Sequence, residues 1–356
     1  MKMINRRETK NFLIGSVGCG HLHPVSIQSM TNTDTRNISA TIVQIQKLAK
    51  AGCEIVRVAV PDQEAGEALQ KIVAQSPLPL IADIHFDYKL ALLALKNQVQ
   101  GLRLNPGNIG AEWKVKEIVK AAKEKEIPLR IGVNSGSIDQ RILEKHGKLT
   151  AAAMVESALE HVAILEKLDF DLIKISLKAS QVPLMLAAYR LIAEKTPYPL
   201  HLGVTEAGLP ERGIIKSAVG IGTLLAEGIG DTIRVSLTGD PCQEIKVAKE
   251  ILRTLALTEK GVEIISCPTC GRCKIDLASL AEEIEQKLQN VQKPLKVAVM
   301  GCAVNGPGEA READLGIAGG MGEGLLFVKG KIIKKLPEDQ LVDALWEEIE
   351  KIIQEE

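Results

Sequence analysis

Along residues 1–258 one alternation repeats: a short apolar, β-branched run, a few polar or glycine residues, then an amphipathic stretch of helical period. The runs are VSIQSM (25–30), IVRVAV (55–60), PLIADI (79–84), GLRLN (101–105), LRIGVN (129–134), LIKISL (172–177), LHLGVT (200–205) and TIRVSL (232–237). Helical text between them includes TIVQIQKLAKAG, residues 91–97, AAAMVESALEHVAILEKL and EIKVAKEILRTL. Eight such units in about 250 residues predict a (β/α)8 TIM barrel. An open doubly wound sheet is the alternative, but it needs a glycine fingerprint that opens a helix after its first strand. GSVGCG (15–20) is a poor version, because HLHPVSIQ follows where the helix should begin.

The runs carry an anomaly. Parallel barrel strands are covered on both faces, so a cation inside one is costly unless an anion meets it. Arg57, Arg103, Arg130, Lys174, Lys178 and Arg234 nevertheless lie in or just after these strands. The two-residue period of a strand puts Arg57 with Ala59, Arg103 with Asn105, Arg130 with Gly132 and Asn134, and Arg234 with Ser236 on common faces. If that face is the barrel interior, the cations converge near its mouth. Any one of them has a plain alternative, a buried ion pair with a strand acid such as Asp83. Their convergence instead implies a compact polyanion such as a diphosphate.

Strand ends supply the other polar groups: Asp83 and His85, Asn105 to Asn108, Asn134 to Gly136, and Thr205 with Glu206. The C-terminal ends of barrel strands are where chemistry is done, so His85 and Glu206 are candidate proton donors or hydrogen-bond partners. His21, His23, His146 and His161 read as loop or helix residues, and Cys19, Cys53 and Cys242 as small, half-buried side chains.

After LTEKG (257–261) the alternation stops, and residues 262–356 read as a small α+β domain. Its order is a strand (VEIISC), a helix (276–290), a strand (LKVAVMG), a glycine-rich turn region (GIAGGMGEG), a hairpin-like pair (LLFVKGKIIKKL) and a closing helix. That helix carries a packing stripe of Leu341, Leu345, Ile349, Ile352 and Ile353. SCPTCGRC (266–273) supplies Cys267, Cys270 and Cys273, and Cys302 follows the next long strand in GCAVNGPGE. Zinc usually takes two CxxC pairs, and here the second half offers one thiolate. An iron-sulfur cluster takes four ligands. On chemistry alone Cys267, Cys270, Cys273 and Cys302 are the first guess, which leaves the acid of NGPGE unexplained.

CPTC, GCAVNGPGE, QSMTNT (28–33), ADIHFDY (82–88), LRLNPGNIG (102–110), RIGVNSGS (130–137), LGVTEAG (202–208) and EGIGDTIRVSL (227–237) together closely resemble the 4-hydroxy-3-methylbut-2-enyl diphosphate synthases of the non-mevalonate isoprenoid pathway. The likeness runs from about residue 10 to 320. It implies a four-iron four-sulfur cluster held by Cys267, Cys270, Cys302 and, unusually, Glu309, with Cys273 a neighbour. A hard carboxylate is displaced from iron more easily than a thiolate, which suits a centre that does chemistry as well as passing electrons. Cys273 unsettles this set, because it could replace Glu309 in a damaged or inactive state.

The reaction so implied is reductive ring opening and dehydration of 2-C-methyl-D-erythritol 2,4-cyclodiphosphate. Arg57, Arg103, Arg130, Asn134, Lys178, Thr205, Arg234 and Ser236 would bind the diphosphate, and Glu206, His85 and Glu309 would be the catalytic groups. The resemblance also implies a head-to-tail homodimer, the small domain of one subunit capping the barrel of the other, with a hinge near 257–262. Electrons would come from ferredoxin or flavodoxin, since no flavin or nicotinamide fingerprint is visible.

Formal net charge is −1, which gives no reason to expect nucleic acid or an anionic membrane as partner. The N-terminus lacks the apolar run of a signal peptide, and no stretch is long enough to span a bilayer. A cytoplasmic enzyme with reduced thiols is expected. Two rivals remain. One is a barrel transferase for a pterin-like diphosphate with a structural zinc; the other is a non-catalytic electron-transfer or scaffold protein, which leaves the buried cations without purpose.

Overall fold

A computed structural model describes residues 4–259, 261–273, 275–288, 291, 293–302 and 310–354. The chain divides into two compact units, Met1–Leu257 and Thr258–Glu356.

In the first unit eight parallel strands follow one another: β3 (Ser26–Met30), β4 (Ile55–Ala59), β5 (Leu80–Asp83), β6 (Gly101–Leu104), β7 (Leu129–Asn134), β8 (Ile173–Lys178), β9 (His201–Leu202) and β10 (Thr232–Ile233). β10 pairs back onto β3, and an Ile175–Leu200 bridge joins β8 to β9, closing the barrel. Each of the eight apolar runs holds one of these strands. Several barrel helices start where short polar side chains accept backbone N–H groups: Asn37 from Ala40, Asp62 from Ala65, Thr150 from Ala153 and Asp240 from Cys242. Each such cap stabilises its helix by about 1 kcal/mol. Their apolar faces, such as Ile42, Ile45 and Leu48 of the helix Ile38–Ala51, are buried around the barrel. Burying one such side chain contributes roughly 1.5–3 kcal/mol.

An antiparallel hairpin precedes the barrel, β1 (Phe12–Ile14) with β2 (Val17–Cys19), turning at Gly15 in the left-handed region at φ 59°. The text GSVGCG is therefore a hairpin rather than a phosphate loop. Phe12, Ile14 and Cys19 pack against Ile55 and Ile81, which share strand faces with Arg57 and Asp83. The hairpin thus plugs the end of the barrel opposite its mouth. Buried Asp231 ties the N-terminal segment there, meeting Arg6 Nη2 at 2.9 Å, Thr9 Oγ1 at 3.0 Å and the Leu200 N–H at 2.8 Å.

The second unit is a five-stranded sheet in chain order: β11 (Val262–Ser266), β12 (Leu295–Met300), β13 (Leu315–Gly319), β14 (Glu323–Val328) and β15 (Lys331–Pro337). The first three strands are parallel and the last two antiparallel additions. Helices Leu277–Leu288 and Leu341–Gln354 share one core with Val297, Val299, Ile317 and Leu326. Leu341, Leu345 and Ile349 form the expected stripe, whereas Ile353 is 37% exposed and lies off it. The glycine-rich text is two strands and a turn rather than a turn region. A Cβ on Gly316 would sit 2.4 Å from the Ala298 carbonyl oxygen, so glycine is required there by close strand approach.

Candidate active site

Strand parity delivers the cations to the barrel interior. Arg57, Arg103, Arg130, Lys174 and Lys178 are all buried, and Arg234 is nearly so. Asp83, at the end of β5, is their common acid: Arg103 Nη1 lies 3.2 Å from Oδ1, Arg57 Nε 3.8 Å from Oδ2, and exposed His85 Nε2 3.3 Å from Oδ2. Burial works against this carboxylate, yet Arg57, His85 and Arg103 hold it well below the usual range. Met30 Sδ is a second acceptor for Arg57, 3.1 Å from Nε and 3.0 Å from Nη2. Arg234 Nε lies 3.8 Å from Glu244 Oε2, which also takes the Ser29 hydroxyl at 3.0 Å.

Asp83 and Glu244 do not balance the cluster. Arg130 Nε and Nη1 are buried with no hydrogen-bond partner among the described residues. Burial disfavours charge on Lys178, and the groups acting on it most after that are four cations: Arg234, Arg130, Arg57 and Arg103. Arg57 is itself pushed down to about 10 by burial, against the pull of Asp83. The plain reading thus holds for Arg57 and Arg103, which are ion-paired with Asp83, while no ion pair to Arg130 or Lys178 is seen among the described residues. An interior with more buried positive than negative charge is arranged for an anion.

Two glycines make room for these cations. A Cβ on Gly132 of β7 would lie 2.8 Å from Arg103 Nε, and one on Gly203, just after β9, 2.8 Å from Lys178 Nζ and 2.7 Å from the Arg234 carbonyl oxygen. Around the mouth stand half-buried Asn134, Thr205 and Ser236. Asn134 is in register with Lys178, and the Thr205 N–H donates to the Ala179 carbonyl at 3.3 Å. Glu206 is exposed and adopts the left-handed region at φ 53°, where a residue with a Cβ is strained. Such strain is often kept at sites that hold a ligand.

Sequence reasoning missed Met30, Glu244, the two glycines, Gln28 and His201. The last two were within its reach. Gln28 shares its strand face with Met30, and His201 with Gly203 and Thr205.

In the second unit, Cys267, Cys270 and Cys273 lie in the loop after β11, and Gly301 and Cys302 directly follow β12. The Gly301 N–H donates to Cys267 Sγ at 3.3 Å, and a Cβ on Gly301 would lie 2.6 Å from Cys273 Sγ. Two of the loop cysteines thus converge on the backbone beside Cys302. Cys273 Sγ is 3.3 Å from the Ile275 carbonyl oxygen. Cys270 is exposed, and the Arg272 backbone N–H with its guanidinium draws its thiol below the usual range. Glu309 lies outside the described residues, and among those described no group of three metal-ligating side chains is assembled.

A family model described as the GcpE TIM-barrel domain matches residues 9–249, and one described as the GcpE protein C-terminal domain matches 263–351. The chain belongs to the GcpE family. Among GcpE relatives, the 4-hydroxy-3-methylbut-2-en-1-yl diphosphate synthase (flavodoxin) of Geobacter sulfurreducens is 61% identical over 350 residues, covering 98% of this chain and 99% of that one. The protein of the same name from Clostridium perfringens is 61% identical over 349 residues, covering 98% and 100%. Among solved structures, N-acetylneuraminic acid synthetase of Leptospira borgpetersenii aligns with a TM-score of 0.51 at 11% identity, covering 80% of this chain and 98% of that one. Dihydropteroate synthase of Xanthomonas albilineans aligns at 0.50 with 13% identity, covering 70% and 98%. At such identity these two bear on the fold alone. The pterin transferase that the sequence left open gains nothing from the second. No helix among the described residues is long and apolar enough to cross a membrane.

Proposed function

We infer that this chain reduces 2-C-methyl-D-erythritol 2,4-cyclodiphosphate to 4-hydroxy-3-methylbut-2-enyl diphosphate, opening the ring and releasing one water with the uptake of two electrons. Its GcpE relatives are named for synthesis of this product and for flavodoxin. The observation that carries it is the excess of buried cations in the barrel, Arg57, Arg103, Arg130, Lys174 and Lys178, over the acids Asp83 and Glu244 that face them.

In this reading Arg57, Arg103, Arg130, Lys178 and Arg234, with Asn134, Thr205 and Ser236, bind the diphosphate. Oriented guanidiniums in a water-poor interior hold phosphate oxygens in fixed places and offset the charge that grows on them as the ring C–O bond breaks. Arg57 and Arg103 are already steered by Asp83, so their donors are aimed before substrate arrives. Glu206 and His85 serve the departing hydroxyl and the protons. Cys267, Cys270 and Cys302 with Glu309 would hold a four-iron four-sulfur cluster. The Cys267 sulfur accepting the Gly301 N–H suits a thiolate ligand, and Cys273, against the Ile275 carbonyl, suits a neighbour. When bound, the cluster supplies the two electrons to the substrate.

A small carrier of the flavodoxin or ferredoxin kind would reduce the enzyme, in the cytoplasm where free thiols persist. A homodimer whose cluster domains cap the partner's barrels would bring cluster and substrate together; full activity of a monomer in dilute sedimentation would refute it. The reaction itself is tested with protein purified without oxygen. Reduced flavodoxin should convert the cyclic diphosphate to the linear allylic diphosphate, followed by phosphorus NMR, in protein carrying about four irons. Stoichiometric zinc in colourless, inactive protein would overturn the reading.

A further inference from the structure

Inside the barrel, three buried side chains present six polar atoms that meet no hydrogen-bonding partner among the described residues: Arg130 Nε and Nη1, both ring nitrogens of His201, and both amide atoms of Gln28. They are 3%, 0% and 1% exposed. Their strands bring them to one region. Gln28 lies between Ser26 and Met30 on the inner face of β3, Ser26 is in register with Thr232, and Thr232 with His201. Of all charged groups, Arg130 acts most strongly on His201, followed by Lys178, Lys174 and Arg57. The backbone of His201 is pinned: its carbonyl accepts the hydroxyl of buried Tyr189 at 2.5 Å, and that hydroxyl takes the Leu177 N–H at 3.0 Å.

A dry interior would not keep six such atoms, since each unmet buried polar group costs roughly 1–3 kcal/mol. The chemistry of the three side chains is complementary. Arg130 has donors only, while a neutral imidazole and a primary amide each bring an acceptor as well as a donor. Burial first, then the surrounding cations, keeps the imidazole neutral and so able to accept. Buried polar groups of this kind are commonly met by ordered water with two to four partners per molecule.

We propose that His201 and Gln28 form a hydrated floor beneath the anion site, accepting the inward protons of Arg130 through bridging water and so fixing its guanidinium toward the ligand. His201 is then a positioning residue. The proposal rests on the reading of the barrel cations as the diphosphate site.

The test uses the cluster-loaded enzyme and the cyclic diphosphate substrate. His201→Phe keeps the ring volume and removes both nitrogens. It should raise KM about tenfold or more, equivalent to the loss of one charge-assisted hydrogen bond, with kcat within about threefold and an unchanged cluster absorption spectrum. His201→Asn, which restores a donor and an acceptor, should recover most of the loss. A folded His201→Phe enzyme with wild-type KM overturns the proposal. Should that variant fail to fold, Gln28→Leu carries the same expectation and the same refutation. Arg130→Ala is measured alongside. If it too leaves KM unchanged, the diphosphate reading fails; if it raises KM while the His201 and Gln28 variants do not, only the hydrated floor fails.

Discussion

The barrel interior and the cysteine loop of the second unit are both built at the C-terminal ends of parallel strands, yet by opposite means. The barrel buries its functional groups: Arg130 and Lys178 are held among like charges, and glycines at 132 and 203 are set aside to fit their neighbours. The loop leaves Cys270 exposed and Cys267, Cys273 and Cys302 half-buried. The barrel's hydrophobic shell enforces a charge arrangement unfavourable in itself, which a bound anion would relieve. Among the described residues the loop sulfurs are fixed by the Gly301 N–H, the Ile275 carbonyl, Arg272 and close packing, and binding of a cluster would itself supply organisation. A site for a transient ligand is prepaid by the fold, whereas a site for a resident cofactor can be completed by it.

The comparison breaks most sharply at Cys267. Cys267→Ala should lose iron, sulfide and at least about 10³-fold in activity while barrel unfolding is unchanged; by transition-state arithmetic that is about 4 kcal/mol or more. Retention of a tenth of the activity would show that Cys267 is no ligand.

Next comes Lys174, whose ammonium donates to Thr232 Oγ1 at 3.3 Å. Burial pushes it down to about 8, with Cys19 and Asp231 opposing and Arg130 assisting. Below about pH 8 the lysine is charged in both folded and unfolded chains, and the full penalty of burying it is present. Between about pH 8 and 10.5 the folded chain releases the proton first, so native stability rises with pH across that window. Lys174→Met should therefore stabilise the barrel at pH 7, by on the order of 3 kcal/mol, and the gain should vanish towards pH 10.5. Denaturant titrations at both pH values check it, and a destabilised variant at pH 7 would show that the charge is compensated.

Gly203→Ala sharpens the claim that glycines are spaced for the cations. Its methyl would meet a backbone carbonyl that cannot swing aside, so a loss of about 1–3 kcal/mol in stability is expected, with weaker substrate binding. A wild-type thermal midpoint would remove that role. The smallest effect belongs to Cys273→Ser: iron content should be kept, with activity within about threefold, because its sulfur faces the Ile275 carbonyl. Loss of the cluster would instead make Cys273 a ligand.

What could be read from the sequence follows the range of the physics. Strand period is a property of neighbours two apart, so every barrel strand was found, along with the shared faces of Arg57, Arg103, Arg130 and Arg234. His201 obeyed the same rule and was passed over because its strand carries no cation. Gly132 and Gly203 could not be read this way, since each serves a side chain on an adjacent strand. Gly316 misled for the same reason: local turn chemistry suggested a turn region, where long-range packing imposes a close strand approach. The cysteine loop was legible from spacing alone as far as three thiols and a fourth. The choice between Cys273 and Glu309 rested on family likeness, and Glu309 lies outside the described residues.

The most direct test of the central claim, that the barrel's uncompensated cations are the diphosphate site and act apart from the cluster, is a calorimetric titration. The cyclic diphosphate is titrated into wild-type and Arg130→Ala enzyme purified without oxygen, with the cluster absorption recorded on the same samples. We expect affinity to fall about 100-fold, as for loss of a buried charged partner, with identical spectra. Equal affinities with identical spectra would contradict the account.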